Sequence, residues 1–273
     1  MSHTPIKVVA RAAGASTTRF LNLRRMGANL SCIGAAEAAL FLRRDLSGLC
    51  VRLKAVIFDL DGTLVDSKID YERMAGMIRE VLSVAGVPEE RLTDRRKIYQ
   101  IIRGGDKVLA EMGVEPTKRT KISSDMEKIM NQVELEGAHL AKPMRNASET
   151  LRALRTRGLG IGIATRGCRD YAVESMKLTG IQGYVDKCLA RDEVPYPKPD
   201  PRHLLDVITY LGAKPDEVFY VGDTSTDLET ANAAMVEFVG YKRDEEWGKR
   251  LLDAGCKRMV DDLIDLLNIT DSF

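Results

Sequence analysis

No apolar stretch in this sequence reaches the roughly 20 residues of a membrane-spanning helix, so no membrane partner is expected. Cysteine is scarce and badly placed for cross-linking. Cys32, Cys50, Cys168, Cys188 and Cys256 are odd in number, scattered, and form no Cys-x-x-Cys pair. That argues against a disulfide framework or a zinc site and fits a reducing cytoplasm. Cys168 has no evident histidine partner, which argues against a thiol nucleophile. An excess of one charge is missing too: 41 Lys and Arg meet 40 Asp and Glu, a net +1. The molecule as a whole is therefore no electrostatic magnet for nucleic acid. There is no internal repeat and no bias toward a disordered or collagen-like composition. The Asn-x-Ser/Thr triplets at Asn29, Asn146 and Asn268 mean little without a secretory signal.

The balanced charge is unevenly spread. Residues 1–50 carry Lys7, Arg11, Arg19, Arg24, Arg25, Arg43 and Arg44 against Glu37 and Asp45, which is +5, so the remainder carries −4. A helix is plausible over residues 35–44. The acid-poor, Ser/Thr-bearing composition fits a transit peptide. The favoured reading is a dispensable tail, or a start-site artefact with Val51 opening the compact run Arg-Leu-Lys-Ala-Val-Ile-Phe. Nothing about the fold below depends on this segment.

What is present is organised around Asp59-Leu-Asp-Gly-Thr-Leu-Val-Asp-Ser67. The preceding Ala55-Val-Ile-Phe58 reads as a strand buried on both faces, as in a parallel sheet. In open α/β sheets, ligands bind beyond the carboxyl ends of the strands, where Asp59 and Asp61 fall. An aspartate there can attack phosphorus and become an acyl phosphate. A second carboxyl can protonate the leaving oxygen and later activate water. Gly62 permits a sharp turn close to a phosphate. Asp-x-Asp-Gly alone reads more readily as a solvated acidic turn.

From 70 to 140 strand-like runs are absent. Tyr71–Val84 has apolar residues near a 3.6 period, and Gly86-Val-Pro88 stops it. Lys97–Met112 continues in that style, interrupted at Arg103-Gly-Gly-Asp106, and Ser123–His139 is a third helical stretch. This is the profile of a small helical domain inserted after the first strand. Then Asn146-Ala-Ser-Glu149 resembles a capping box opening a helix that stops at Gly158. Ile161–Thr165 reads as a second strand. The Gly158, Gly160 and Gly162 run precedes or lies within that strand and is no dinucleotide fingerprint. Asp170 is a candidate cap for the next helix, and Tyr184–Ala190 a third strand. Alternating prolines hold Lys198 on an extended loop, and Asp200-Pro201 starts a helix. Val218–Asp223 is a buried strand ending in a carboxylate, followed by a helix through Ala234, a strand over 235–240 and helices over 247–267. Strands alternating with helices imply a doubly wound, mostly parallel sheet.

Asp223 and Asp227 stand near one another at a helix start, where they can simply favour its dipole. Clustered with Asp59 they would repel unless a hard cation such as Mg²⁺ neutralised them. Lys198 can meet a phosphoryl group's charge, and Thr165 can donate to a phosphate oxygen; each is unremarkable alone. Together, in this order and spacing over about residues 54–267, the four segments resemble the signatures of the haloacid dehalogenase-like hydrolases. The pattern is most similar to the phosphoglycolate phosphatase-like members with a helical cap. The resemblance implies a hydrolase core over 51–69 and 141–273 and a cap over 70–140. It implies Asp59 as nucleophile and metal ligand, Asp61 as acid/base and ligand through its carbonyl, Thr165 and Lys198 on the phosphate, and Asp223 and Asp227 at Mg²⁺. Gly62, Thr63 and Arg166 are further candidates for contact with the phosphate or substrate. The family's second signature usually reads Ser/Thr-Asn, whereas here it is Thr165-Arg166-Gly167. The reaction implied is hydrolysis of a small phosphorylated metabolite, since Asp61 supplies the proton that an alkoxide needs. A sugar phosphomutase and a non-catalytic binding protein are the alternatives. Arg103 is the candidate for substrate contact from a Gly-Gly bend in the cap. A monomer or homodimer is expected. His139 and His203 lie away from the signatures and read as surface or helix-end residues.

Overall fold

The computed structural model describes residues 7–12, 15–20, 52–92 and 98–271. The chain divides into two compact units, Met1–Cys50 and Val51–Phe273. In the first, β1 (Lys7–Ala12) pairs antiparallel with β2 (Ala15–Phe20), Lys7 opposite Phe20 and Ala12 opposite Ala15. A dispensable tail led to no expectation of strands there. The helix considered over 35–44 and the start considered at Val51 lie outside the described residues.

The second unit opens with β3 (Ala55–Phe58), buried throughout. After the Asp-x-Asp turn, β4 (Val65–Asp66) pairs antiparallel with β5 (Lys142–Pro143). This short ribbon holds side by side the points where the chain leaves the sheet and returns. Between them lie α1 (Tyr71–Val84), α2 (Ile98–Glu111) and α3 (Pro116–Ala138). They enclose their own apolar cluster, with Met74, Ile78, Leu82, Ile101, Leu109, Met126 and Val133 among its buried members. The break expected at Arg103–Asp106 is absent, because α2 runs through it. Gly105 serves packing instead: a Cβ there would lie 2.6 Å from Leu82 Cδ1. Asp106 pairs with Arg119 at 3.0 Å. Lys97, where that helix was expected to begin, lies outside the described residues.

Beyond the ribbon come α4 (Ala147–Thr156), β6 (Gly160–Ala164), α5 (Arg169–Leu178), β7 (Lys187–Leu189) and α6 (Pro201–Tyr210). They are followed by β8 (Val218–Gly222), α7 (Ser225–Ala234), β9 (Glu237–Tyr241), α8 (Glu245–Asp253), β10 (Met259–Val260) and α9 (Leu266–Thr270). The sheet order is β10-β9-β8-β3-β6-β7, parallel at every pairing. The first strand of the sheet is thus central, and the chain winds outward from it in both directions. Strand β10 was not expected; at two residues it is too short for a sequence period.

Alternation on β3 divides the core. Val56 and Phe58 pack with Leu151, Leu154, Tyr171 and Leu266 on one face. Ala55 and Ile57 pack with Leu204, Val207, Leu228 and Ala231 on the other. Two local expectations fail. Asn146 adopts a left-handed conformation, φ 57°, and its amide donates to Asp262 at 2.9 Å rather than capping α4. Asp170 lies inside the first turn of α5, whose cap position is Cys168. Asp200 does cap α6, accepting from the Arg202 amide, with Pro201 at the first helical position.

Candidate active site

The crevice at the carboxyl ends of β6, β3 and β8 receives Thr165, Asp59 and Asp223, each the residue directly after its strand. Backbone bonds extend the sheet to set two of them. The Asp59 amide donates to Val221 O at 2.8 Å, and the Thr165 amide to Leu189 O at 3.0 Å.

Lys198 is not a solvated surface cation. Only 2 % exposed, it donates to Asp59 Oδ1, Asp227 Oδ1 and the Tyr220 hydroxyl, each at 2.7 Å. Three ammonium protons thereby meet three acceptors. The two carboxylates hold the Lys198 pKa above its ordinary value although burial alone would lower it. Tyr220 in turn donates to Asp227 Oδ1 at 2.7 Å. Asp227 Oδ2 accepts from the Thr224 amide at 3.1 Å and from the Thr224 hydroxyl. Four donors therefore meet the four lone-pair sites of that carboxylate. Against the effect of burial, Lys198 and these bonds keep Asp227 below its usual pKa.

Asp59 and Asp223 are different. Burial pushes Asp59 up to about 7, against the pull of Lys198 and with added repulsion from Asp227. Among the described residues no group donates to Asp59 Oδ2. Asp223 is raised well above its ordinary value by burial and then by Asp59 and Asp227. It accepts from Thr63 Oγ1 at 3.2 Å and pairs with Arg243 Nη1, also at 3.2 Å. One oxygen each of Asp59, Asp223 and Asp227 lie within 4.8 Å of one another. Buried oxygen ligands carrying excess negative charge fit a hard divalent cation. With Asp227 saturated, the lone pairs left for direct ligation belong to Asp59 and Asp223.

The Asp61 carboxylate accepts one bond from Ser67 Oγ and one from the hydroxyl of Tyr71, the first residue of α1. It therefore touches the first of the inserted helices. Thr165 is buried; its hydroxyl accepts from the Gly167 amide at 3.0 Å, which leaves its proton for another acceptor. The Thr63 hydroxyl donates to Asp223 Oδ1 at 3.2 Å, and the Gly62 amide donates to Val65 O at 2.8 Å. Gly62 also shapes the site. Its φ is +84°, and a Cβ there would lie 2.5 Å from Asp223 Oδ2. Arg103 does not reach the carboxylates. It lies on α2 with its guanidinium 6.0 Å from the Tyr99 ring, the same ring that Arg166 approaches at 5.1 Å.

Sequence reasoning missed Tyr220, Ser67, Tyr71, His203 and Arg243. Tyr220 was indistinguishable from an apolar strand residue. Ser67 and Tyr71 carried a weak signal, lying at the end of the Asp59–Ser67 stretch and at the helix start just beyond it. His203 was read as a surface or helix-end residue; it stands in the first turn of α6 but is fully buried. Its Nδ1 accepts from the Lys198 amide at 3.2 Å, and its Nε2 lies 3.0 Å from Leu189 O. Burial and the Lys198 charge lower its pKa to about 4, so the ring is neutral and Nε2 carries the proton.

Residues 56–241 match the family described as haloacid dehalogenase-like hydrolase. The chain belongs to that family. It is 27 % identical to the N-acetylmuramic acid 6-phosphate phosphatase of Pseudomonas aeruginosa over 77 % of this chain and 95 % of that one. It is 27 % identical to the phosphoglycolate phosphatase of Aquifex aeolicus over 67 % of this chain and 81 % of that one. Among solved structures, a hydrolase from Pseudomonas syringae superposes with a TM-score of 0.56 at 26 % identity, covering 81 % of this chain and 99 % of that one. Burial pushes the Cys168 thiol up to about 12, which disfavours the reactive thiolate.

Proposed function

We propose that this member of the haloacid dehalogenase-like hydrolases is a phosphatase that hydrolyses a small phosphate monoester through an aspartyl-phosphate on Asp59, with Mg²⁺ as cofactor. One observation carries the reading. Asp59 is anchored through Oδ1 by Lys198 and keeps Oδ2 without a donor among the described residues, and Asp61 stands two residues further on, gripped by Ser67 and Tyr71. The similarity to relatives named as phosphatases supports the same reaction.

In this mechanism Asp59 Oδ2 attacks phosphorus and the ester oxygen departs with a proton from Asp61. Asp61 then takes a proton from water, and that water attacks the phosphorus of the acyl phosphate and releases Asp59. Lys198 and the Thr165 hydroxyl meet the phosphoryl oxygens, where charge is held in a water-poor pocket. Asp59, Asp223 and the Asp61 carbonyl would hold the Mg²⁺, which supplies charge neutralisation between phosphate and carboxylates. Asp227 holds Lys198 in place and reaches the cation only through water. We assign 51–69 and 141–273 to the catalytic core and 70–140 to a cap that closes over it. Substrate discrimination then falls to the cap and to Arg166.

The test is p-nitrophenyl phosphate hydrolysis by the purified protein with Mg²⁺ and with EDTA. Metal-dependent release is expected, and Asp59→Asn should lower kcat by at least about a thousandfold, since the nucleophile is removed. Release that persists unchanged in Asp59→Asn would sink this mechanism.

A further inference from the structure

Most cations around the crevice are matched by carboxylates. Lys198 has Asp59 and Asp227, Arg243 has Asp223, and Arg191 has Glu134. Arg166 and Arg103 are the exceptions. Among the described residues neither has a carboxylate within ion-pair distance, and both lie against one ring, that of Tyr99 on α2. Arg103 follows Tyr99 by one helical turn, and its Nη1 lies 3.4 Å from the Tyr99 hydroxyl.

Arg166 is placed by both parts of the molecule. Its backbone directly follows Thr165, and its carbonyl accepts from Arg191 Nη1 at 2.6 Å. Its half-buried guanidinium stacks on the Tyr99 ring. An ordinary surface arginine would be solvated and free to swing. This one is partly withdrawn from water, and burial together with the neighbouring Arg191 charge lowers its pKa. Two guanidinium groups gathered on one ring without a carboxylate are stabilised most by an anion. The planar fork of Arg166 matches a carboxylate or a phosphate.

We propose that Arg166, stacked on Tyr99 and supported by Arg103, forms a second anion site beside the phosphoryl pocket, selecting phosphate esters that carry a carboxylate or a second phosphate. The proposal rests on the phosphatase reading for the phosphoryl end. It assigns the other end of the substrate to a residue standing where the family's second signature usually has asparagine.

The experiment is calorimetric titration of the full-length protein with Mg²⁺ and three non-hydrolysable ligands: 3-phosphonopropionate, ethane-1,2-bisphosphonate and the neutral 3-phosphonopropanamide. At least one of the two ligands with an anionic far end should bind about tenfold or more tighter than the amide, the range of a charge-assisted bond. Which of the two binds identifies the second anion. Arg166→Met should erase that preference, and Arg166→Lys should retain part of it, since charge survives but the fork and the stacking do not. Equal binding of all three ligands by the unmodified protein would overturn the proposal. So would Arg166→Met weakening the amide and the anions alike. The p-nitrophenyl phosphate assay separates the two readings. Turnover without anion preference removes the second site alone, whereas preference without turnover removes the phosphatase reading alone.

Discussion

His203 shows how much one buried ring controls at the residue scale. It joins the Lys198 amide to the carbonyl at the end of β7, so it sets the loop that carries the central cation. Its pKa falls from 6.5 in an open chain to about 4 in the fold. Between these values the unfolded chain binds a proton that the folded chain refuses, so stability is lost as pH falls through that window. The loss amounts to roughly 3 kcal/mol by linkage. Urea unfolding of the native protein and of His203→Asn at pH 7 and pH 4.5 checks this, and the drop should be clearly smaller in the variant. Gly62 is a second such position. Gly62→Ala forces a methyl against Asp223 and Arg243 at φ +84°, costing about 1–3 kcal/mol and, on the proposed mechanism, weakening Mg²⁺ binding. Thermal melts and a Mg²⁺ titration read both effects. The roles of Asp59, Asp61, Asp223 and Lys198 could be proposed from residue type and spacing. Those of His203 and Tyr220 could not, because a hydrogen bond across the fold leaves no local pattern.

At the scale of elements, periodicity located helices well wherever one face is apolar, as over Tyr71–Val84. It failed at Arg103–Asp106, where two glycines resemble a break, yet one of them serves close packing on Leu82. It also missed what joins α3 to the sheet. Glu134 is buried and accepts from Arg191 at 2.5 Å and from the Cys168 amide at 2.8 Å, while Asn131 accepts from Arg191 at 2.6 Å. Removing one partner leaves a buried charge and a buried amide unmet. Glu134→Ala should therefore lower unfolding stability by about 3–5 kcal/mol, measured by chemical denaturation. A residue on a helix whose sequence is mostly polar gave no sign of this bond, since a glutamate there reads as solvated.

At the scale of the whole molecule, each apolar cluster among the described residues draws on positions from Leu53 onward, and the family match begins at residue 56. Val51–Phe273 is a compact unit by itself. A protein starting at Val51 should unfold within a few degrees of the full chain and keep its p-nitrophenyl phosphate turnover. Differential scanning calorimetry and that assay check it, and a collapse of the melting temperature would show that Met1–Cys50 belongs to the stable core.

The sequence by itself determined the alternation of the longer strands and helices beyond Ala55, the buried strand with its two carboxylates, and the residue types at the strand ends. Those follow from local rules: hydrophobic period, turn chemistry, and the valence of each side chain. Only the tertiary structure decided which lone pairs remain. The fold brings Lys198, Tyr220 and Thr224 onto the oxygens of Asp227. It also brings the Thr63 hydroxyl onto Asp223. Arg103 and Arg166, 63 positions apart, meet on one tyrosine ring. Hydrogen-bond capacity is filled by neighbours in space, and those neighbours come from strands and helices far apart along the chain.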